Sequence, residues 1–374
     1  MLDLKKLDQA SKMGARWLVT NCQVSEESNA DFGAFMEADP ATRSLRVPLD
    51  PWLTAAAVRS LLMVHGRTRH AQWKEAAICG GDYLETLQCS EEMEETGALW
   101  APWIRGSDAL RVDANYRSIA ALLDLYGATG SSHYLESARG IGEWFSESVY
   151  RGGGTHLNRY FPDKRTYGWP RSHILDEGGF MRLRDLTRDE IYDGITGDQI
   201  EALTDASTEQ GIFSCMKASR MEREDDLDPE SVSMRGMYWH LSPIVLAYEK
   251  DKQDRFLELA ERGVRLVMDS QTEEGYLNRA LFPQTQEASG PDGLATAMFA
   301  TLWTKMYELN GNSAYRKSAE MAIDWMIGSQ SVSRRDSLGA FYDGKRSNDG
   351  ELRDTWTTMS TIYGIMACEE YLRI

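Results

Sequence analysis

The stretch LRVDANYRSIAALLDLYG (residues 110–127) carries an aspartate, Asp113, at the mouth of a helix that is apolar nearly all round. A helix patterned like this is packed on every side. The same arrangement recurs in VPLDPWLTAAAVRSLLMVHG, SHILDEGGFMRLRDL, GPDGLATAMFATLWTKMYE and LRDTWTTMSTIYGIMACEE. Counted from Asp50, Asp113, Asp176, Arg235, Asp292 and Asp354, these apolar helices follow one another in steps of 57 to 63 residues. A period kept over the whole chain marks an array of like units.

A second series alternates with the first. RWLVTNCQVSEESNADFGAF (16–35), DYLETLQCSEEMEETGALW (82–100), RLVMDSQTEEGYLNRALF (265–282) and DWMIGSQSVSRRDSLGAFYDG (324–344) each end an amphipathic helix with Gln, a small turn and Gly-apolar. Helices with one charged face suit an outer ring, and the apolar ones suit an inner ring. Six outer-inner pairs cover residues 5–372. They predict an all-α (α/α)6 barrel, a single toroid domain over 1–374, with fewer than about one residue in ten in strands. The fourth outer helix is expected within 196–222, with DGITGDQIEAL and EREDDLDPES as loops around it. An open solenoid is the alternative, but such repeats are shorter and need capping units.

Of the 374 residues 42% are hydrophobic, enough for a large core, and the net charge is −17. That charge argues against nucleic acid and anionic membrane as partners, because polyanion binding draws on clustered Lys and Arg. The opening residues, MLDLKKLDQASKMGARWLV, have a helical period and no secretory apolar core. No run of about 18 apolar residues predicts a membrane span. Cys22, Cys79, Cys89, Cys215 and Cys368 are odd in number and contain no CxxC pair. Buried free thiols and a cytoplasmic location are the expectation.

All six inner-helix mouths should open onto one end of the ring, where the long loops gather. Asp is a favoured N-cap, so capping alone accounts for an Asp at each mouth. Asp50, before Pro51, fits that role best. Asp113 and Asp176 lie among other polar and aromatic residues, in DANYR and WPRSHILDE, and are the catalytic candidates. Trp52, Trp100, Trp103, Trp169, Trp239 and Trp356 fall at or near the same mouths, where flat rings could stack on sugars or pack in the core. The connection GGGTHLNRYFPDKRTYGWPRSH (152–173) collects His156, Asn158, Arg159, Tyr160, Lys164, Arg165, Arg171 and His173. Positive density of this kind in an acidic chain fits an anionic ligand such as a uronate. In SVSMRGMYWHLSPIVLAYE (231–249), Arg235 and Trp239 share a helix face, and Tyr238 and His240 are beside them. Phosphate-loop, HExxH and GxSxG motifs are missing, and scattered His65, His70 and His133 predict no structural zinc.

The alternation, length and funnel resemble the six-hairpin glycosidases, and among them the unsaturated glucuronyl and rhamnogalacturonyl hydrolases of glycoside hydrolase families 88 and 105. That resemblance rests on Asp113 and Asp176 heading the second and third inner helices, on MRGMYWHL as an Arg-Gly-x-x-Trp phrase, and on PDGLATAMF opening the fifth. It implies hydrolysis of a terminal 4,5-unsaturated uronyl group from an acidic oligosaccharide. Asp176 would then be general acid and base with its pKa raised by Asp113. Arg235, with Arg171 or His173, would hold the carboxylate, and Trp239 and Tyr116 would stack on rings. Arg117, Trp52, Arg159, Asp292 and Trp356 complete the expected substrate set. The resemblance implies no metal or organic cofactor. Uronate lyases using Tyr238 and His240, 2-epimerase-like isomerases and a non-catalytic glycan-binding toroid stand on the same scaffold.

Overall fold

The computed structural model describes residues 2–37, 51–100, 110–154, 156–157, 159–161, 166–167, 170–171, 178–209, 212, 232–281, 290–332, 337–348 and 351–374. Its helices alternate as outer and inner: α1 (Leu4–Trp17) and α2 (Pro51–Thr68), α3 (Ala71–Thr86) and α4 (Val112–Thr129), α5 (Ser132–Trp144) and α6 (Gly179–Thr187). The series continues with α7 (Ile191–Ala206) and α8 (Met234–Asp251), α9 (Asp254–Asp269) and α10 (Gly293–Asn310), α11 (Ser313–Ser329) and α12 (Thr358–Tyr371). The expected six hairpins are therefore present, and the fold is the all-α (α/α)6 toroid. Burial separates the two sets: thirteen of the fourteen residues of α12 are buried, against six of the sixteen of α9.

The Gln-Gly phrase read from the sequence is a clamp. Gln88 Nε2 donates to Gly97 O (2.8 Å) in its own loop and to Ser137 O (2.9 Å) on the next outer helix. Gln23 does the same with Gly33 and Ala76, Gln271 with Gly275 and Ser318, and Gln330 with Gly339 and Ala10. Each of those glycines has a positive φ and lies so close to the next outer helix that a Cβ would strike a carbonyl oxygen there. Two residues on, a loop N–H donates to a polar side chain of the following inner helix: Phe35 to Thr54, Leu99 to Asn115, Leu277 to Thr296 and Phe341 to Thr361. These bonds satisfy buried backbone groups and fix the spacing of successive hairpins. At the third hairpin Tyr150 replaces Gln, and its hydroxyl donates to Asp198 on α7.

The helices fall into two compact units. Unit 1 is built from Met1–Cys22 and Ala206–Ile374, and unit 2 from Gln23–Glu37 and Arg46–Asp205. In unit 2, α4 packs between α2 and α6 with α5 behind it; in unit 1, α10 packs between α8 and α12 with α11 behind it.

Three expectations are corrected. DGITGDQIEAL (193–203) lies inside α7. Its two glycines lower helix propensity, yet Tyr192, Ile195, Thr196, Gln199, Ile200 and Leu203 are buried on one face, and that packing decides. Asp354 does not head the sixth inner helix: it lies on β7 (Glu351–Trp356), paired antiparallel with β6 (Tyr342–Asn348). Thr357 and Ser360 cap α12 reciprocally instead. The connection 152–173 holds short strands, with His156–Leu157 opposite Pro170–Arg171 and Arg159–Phe161 pairing both Leu110–Arg111 and Thr166–Tyr167. Among the described residues, all strands together stay well under a tenth of the chain. EREDDLDPES lies outside the described residues.

Candidate active site

In unit 2 the chain enters α4 through Arg111, so Asp113 lies in the first turn and is not the cap. Asn115 takes up the neighbouring backbone: its Oδ1 accepts from Leu99 N–H, and its Nδ2 donates to Arg111 O at 2.9 Å. Arg111 grips Asp113 with two bonds, Nη2 to Oδ2 at 2.6 Å and Nε to Oδ1 at 3.1 Å. The Asp113 side chain is 20% exposed. Burial pushes its pKa up, but Arg111 and then Arg117 hold it down at about 2, so it is ionised at neutral pH.

The other polar residues of DANYR turn inward. Tyr116 is 2% exposed and packs among Phe145, His156 and Phe180. It is a core ring in the described structure, where an inner helix leaves no side open for stacking on sugar. Arg117 is buried with its guanidinium 4.4 Å from the centre of the Trp52 ring, so a cation covers one face of that ring. His156 is buried against Phe145, with Gln199 beside Nδ1. Arg159 stands opposite Arg111 in the sheet register and Arg171 opposite His156. Asp50, Trp103, Asn158, Trp169, His173 and Asp176 lie outside the described residues.

In unit 1, the first twelve residues of α8, 234–245, are buried except for Arg235, Trp239 and Ser242, spaced as one helical face, as expected for Arg235 and Trp239. Arg235 is already engaged. Its Nε and Nη2 fork onto Asp292 at 2.8 and 2.9 Å, and Nη2 also donates to Asp343 at 3.1 Å. The edge expected to grip a substrate carboxylate is thus occupied by the protein's own. Asp292 doubles as the cap of α10, accepting from Ala295 N–H. Asp292 is 2% and Asp343 1% exposed. Burial pushes the Asp292 pKa up; Arg235 opposes this, and Asp343 adds to it.

Asp343 was not picked out from the sequence, although YDG (342–344) repeats the Asp-Gly step of PDG (291–293). Tyr238 and His240 are buried, Tyr238 against Trp239, Phe299 and Tyr363. His240 Nδ1 donates to Gly236 O at 2.9 Å, which leaves Nε2 as the basic nitrogen of the neutral ring. On the hairpin Tyr342 donates to exposed Asp354, and half-buried Trp356 sits edge-on to Tyr342.

The fold together with a family match over more than half of the chain makes this a carbohydrate-active enzyme of the six-hairpin toroid class. Residues 148–368, more than half of the chain, match glycosyl hydrolase family 76, and the chain belongs to that family. In structure it is similar to an unsaturated glucuronyl hydrolase specific for heparin, with TM-score 0.70 and 14% identity over 99% of this chain and 97% of that one. A cellobiose 2-epimerase from Spirochaeta thermophila matches with TM-score 0.70 and 14% identity over 99% and 96%. A polysaccharide lyase matches with TM-score 0.63 and 14% identity over 86% and 90%. At such identity these likenesses show the fold alone. No curated protein matches the chain in sequence.

Proposed function

We propose that this chain is a glycoside hydrolase that removes a terminal unsaturated uronyl residue from an acidic oligosaccharide by carboxyl acid–base chemistry. The observation that carries the reading is Asp113, a partly exposed carboxylate held ionised at an inner-helix mouth. Glycosidic chemistry calls for two carboxyl groups in opposite protonation states. Asp113 supplies the ionised one, and Asp176 is assigned the proton. Asp176 protonates the vinyl-ether double bond and then takes a proton from the attacking water. The basic connection 152–173, with Arg159, Arg171 and His173, is assigned the uronyl carboxylate. In unit 1, Trp239 and Trp356, both half-buried, are assigned ring contacts at their own mouths.

A second reading has one observation in its favour. His240 donates through Nδ1 to Gly236 O, which leaves Nε2 as the basic nitrogen a uronate lyase would use. Ultraviolet absorbance of the unsaturated end separates the two on uronic acid oligosaccharides: hydrolysis consumes it and lyase action creates it. Asp176→Asn keeps the side-chain size and spares the α6 cap, which is Gly178, so it should leave the melting temperature nearly unchanged and cut turnover by about 10²-fold or more. Abolition by Tyr238→Phe and His240→Ala, with Asp176→Asn still active, would move the chemistry to the lyase pair.

A further inference from the structure

The Gln-Gly clamps share one detail and break it once. Each clamp glycine lies against one residue of the next outer helix: Gly33 on Cys79, Gly97 on Gly140, Gly275 on Met321 and Gly339 on Met13. One helical turn further, at i+4, each of those helices carries an aromatic ring: Tyr83, Trp144, Trp325 and Trp17. In three of the loops the residue after the glycine is alanine (Ala34, Ala98 and Ala340), and there both the alanine and the ring, Tyr83, Trp144 or Trp17, are buried. In the remaining loop the residue is Tyr276, and Tyr276 and Trp325 are both half-buried. Core packing accounts for a small residue and a buried ring. It does not account for two large rings left partly in water at one place in the repeat.

The departure continues along one face of α11, where Met321, Trp325 and Ser329 follow at i, i+4 and i+8. Tyr276 packs on Trp325 with ring centres 5.4 Å apart. Tyr342 meets Trp325 at 5.9 Å, and Trp356 meets Tyr342 at 5.8 Å. The Trp356 indole N–H donates to Ser329 O at 3.3 Å, which ties β7 to the same face. The β6–β7 register slips between Tyr342 and Gly344, so Asp343 is the extra residue of a β-bulge. Bulges re-aim side chains: Asp343 is buried, while Tyr342 stays half-buried beside Trp325. All four rings are half-buried, and exposed Asp354 accepts from the Tyr342 hydroxyl.

Successive rings meet at 46°, 70° and 71°, so they make a stepped row and not a closed stack. Aromatic faces receive the C–H faces of pyranose rings, and a carboxylate accepts hydroxyl protons. We propose that Tyr276, Trp325, Tyr342 and Trp356 form a binding strip for a sugar chain, leading from the α12 mouth outward along α11, so that the substrate is an oligosaccharide of several units. The inference rests on the reading of Trp356 as a ring contact at that mouth. It is independent of whether the bond is broken by hydrolysis or by elimination.

The test uses the full chain labelled with 15N-tryptophan, with the Trp325 indole N–H assigned through Trp325→Phe. Cellotetraose, mannotetraose, xylotetraose and tetragalacturonate are each titrated beside their monosaccharide. At least one tetrasaccharide should shift the Trp325 signal and bind about fivefold or more tighter than its monosaccharide, because a chain reaches more than one ring. Tyr276→Ala installs the residue that the other three loops hold, and it should weaken that tetrasaccharide about fivefold or more. If this variant does not fold, Trp325→Leu, read by calorimetry, should show the same loss. No shift at Trp325 with any of the four at about 10 mM, equal affinity for chain and monosaccharide, or unchanged affinity in the variant overturns the proposal. Binding along the strip with no hydrolysis of the bound chain would instead remove only the hydrolase reading.

Discussion

Asp113 in unit 2 and Asp292 in unit 1 both stand at the start of an apolar inner helix, Asp113 in its first turn and Asp292 as its cap, and each is forked by an arginine. Their electrostatics are opposite. Asp113 has Arg111 to itself and Arg117 nearby, is partly exposed, and is held down at about 2. Asp292 shares Arg235 with Asp343, is buried, and is pushed up. One extra carboxylate and the loss of solvent reverse the sign of the shift. The two mouths therefore share an acidic residue and an arginine, and the surrounding loops fix what each can do. The unit 2 mouth presents a stable anion. The unit 1 mouth is a tightly built polar cluster that holds an arginine still.

The largest effect should come from removing each arginine in turn. Arg235→Leu removes the guanidinium that buried Asp292 and Asp343 share and should cost about 3–5 kcal/mol. Arg111→Leu leaves one partly solvated carboxylate and should cost about 1 kcal/mol or less. Urea unfolding of the two variants measures the gap, and equal losses would break the comparison.

Internal controls come next. The clamps are the same device in both units, so Gln88→Ala in unit 2 and Gln271→Ala in unit 1 should cost alike. Each strips donors from two carbonyls, at about 1–3 kcal/mol for groups left unsatisfied. A large difference in urea midpoint between them would mean that the units differ in rigidity as well as in charge.

The pH dependence sharpens the contrast. The Asp113 pKa is lowered from 3.8. Its contribution to stability is complete above the unfolded value and is lost as pH falls from there towards about 2. The Asp292 pKa is raised from 3.8, so the folded state holds that proton longer, and the contribution declines as pH rises past 3.8. Carboxyl 13C resonances near pH 4 should show Asp113 ionised and Asp292 protonated to a greater extent than Asp113. Asp343→Asn should move the Asp292 titration to lower pH and leave Asp113 where it is.

How much of this was legible depended on whether the controlling interaction was local. The hairpin count and the Gln-Gly phrase could be read because periodicity and turn chemistry act over a few residues. Arg235 and Trp239 were paired correctly for the same reason, as i and i+4 on one helix. The partner of Arg235 was not legible: Asp343 lies 108 residues away and is delivered by a bulge, which composition does not announce. Tyr116 and Arg117 misled because they are functional types in a polar phrase, while their roles come from Phe145, Phe180 and Trp52 across the core. Arg111, two residues before Asp113, was within reach, since an arginine so close to a helix-mouth carboxylate can fork back onto it.

The smallest expected effect concerns the sixth inner helix, where the repeat pointed to Asp354 and the structure to Thr357. Asp354 is exposed on β7, and its described bond is from the Tyr342 hydroxyl. Thr357 accepts from Ser360 N–H at 3.1 Å, and Ser360 Oγ accepts in return from Thr357 N–H at 3.2 Å. Asp354→Ala should therefore stay within about 0.5 kcal/mol of wild type, the usual range for a surface substitution. Thr357→Ala should cost about 1 kcal/mol, the ordinary loss of a helix cap. Differential scanning calorimetry of the two variants decides. If Asp354→Ala were the costlier change, Asp354 would cap this helix after all. The acidic position would then be as regular in energy as it is in sequence, and the contrast between Asp113 and Asp292 would concern those two mouths only.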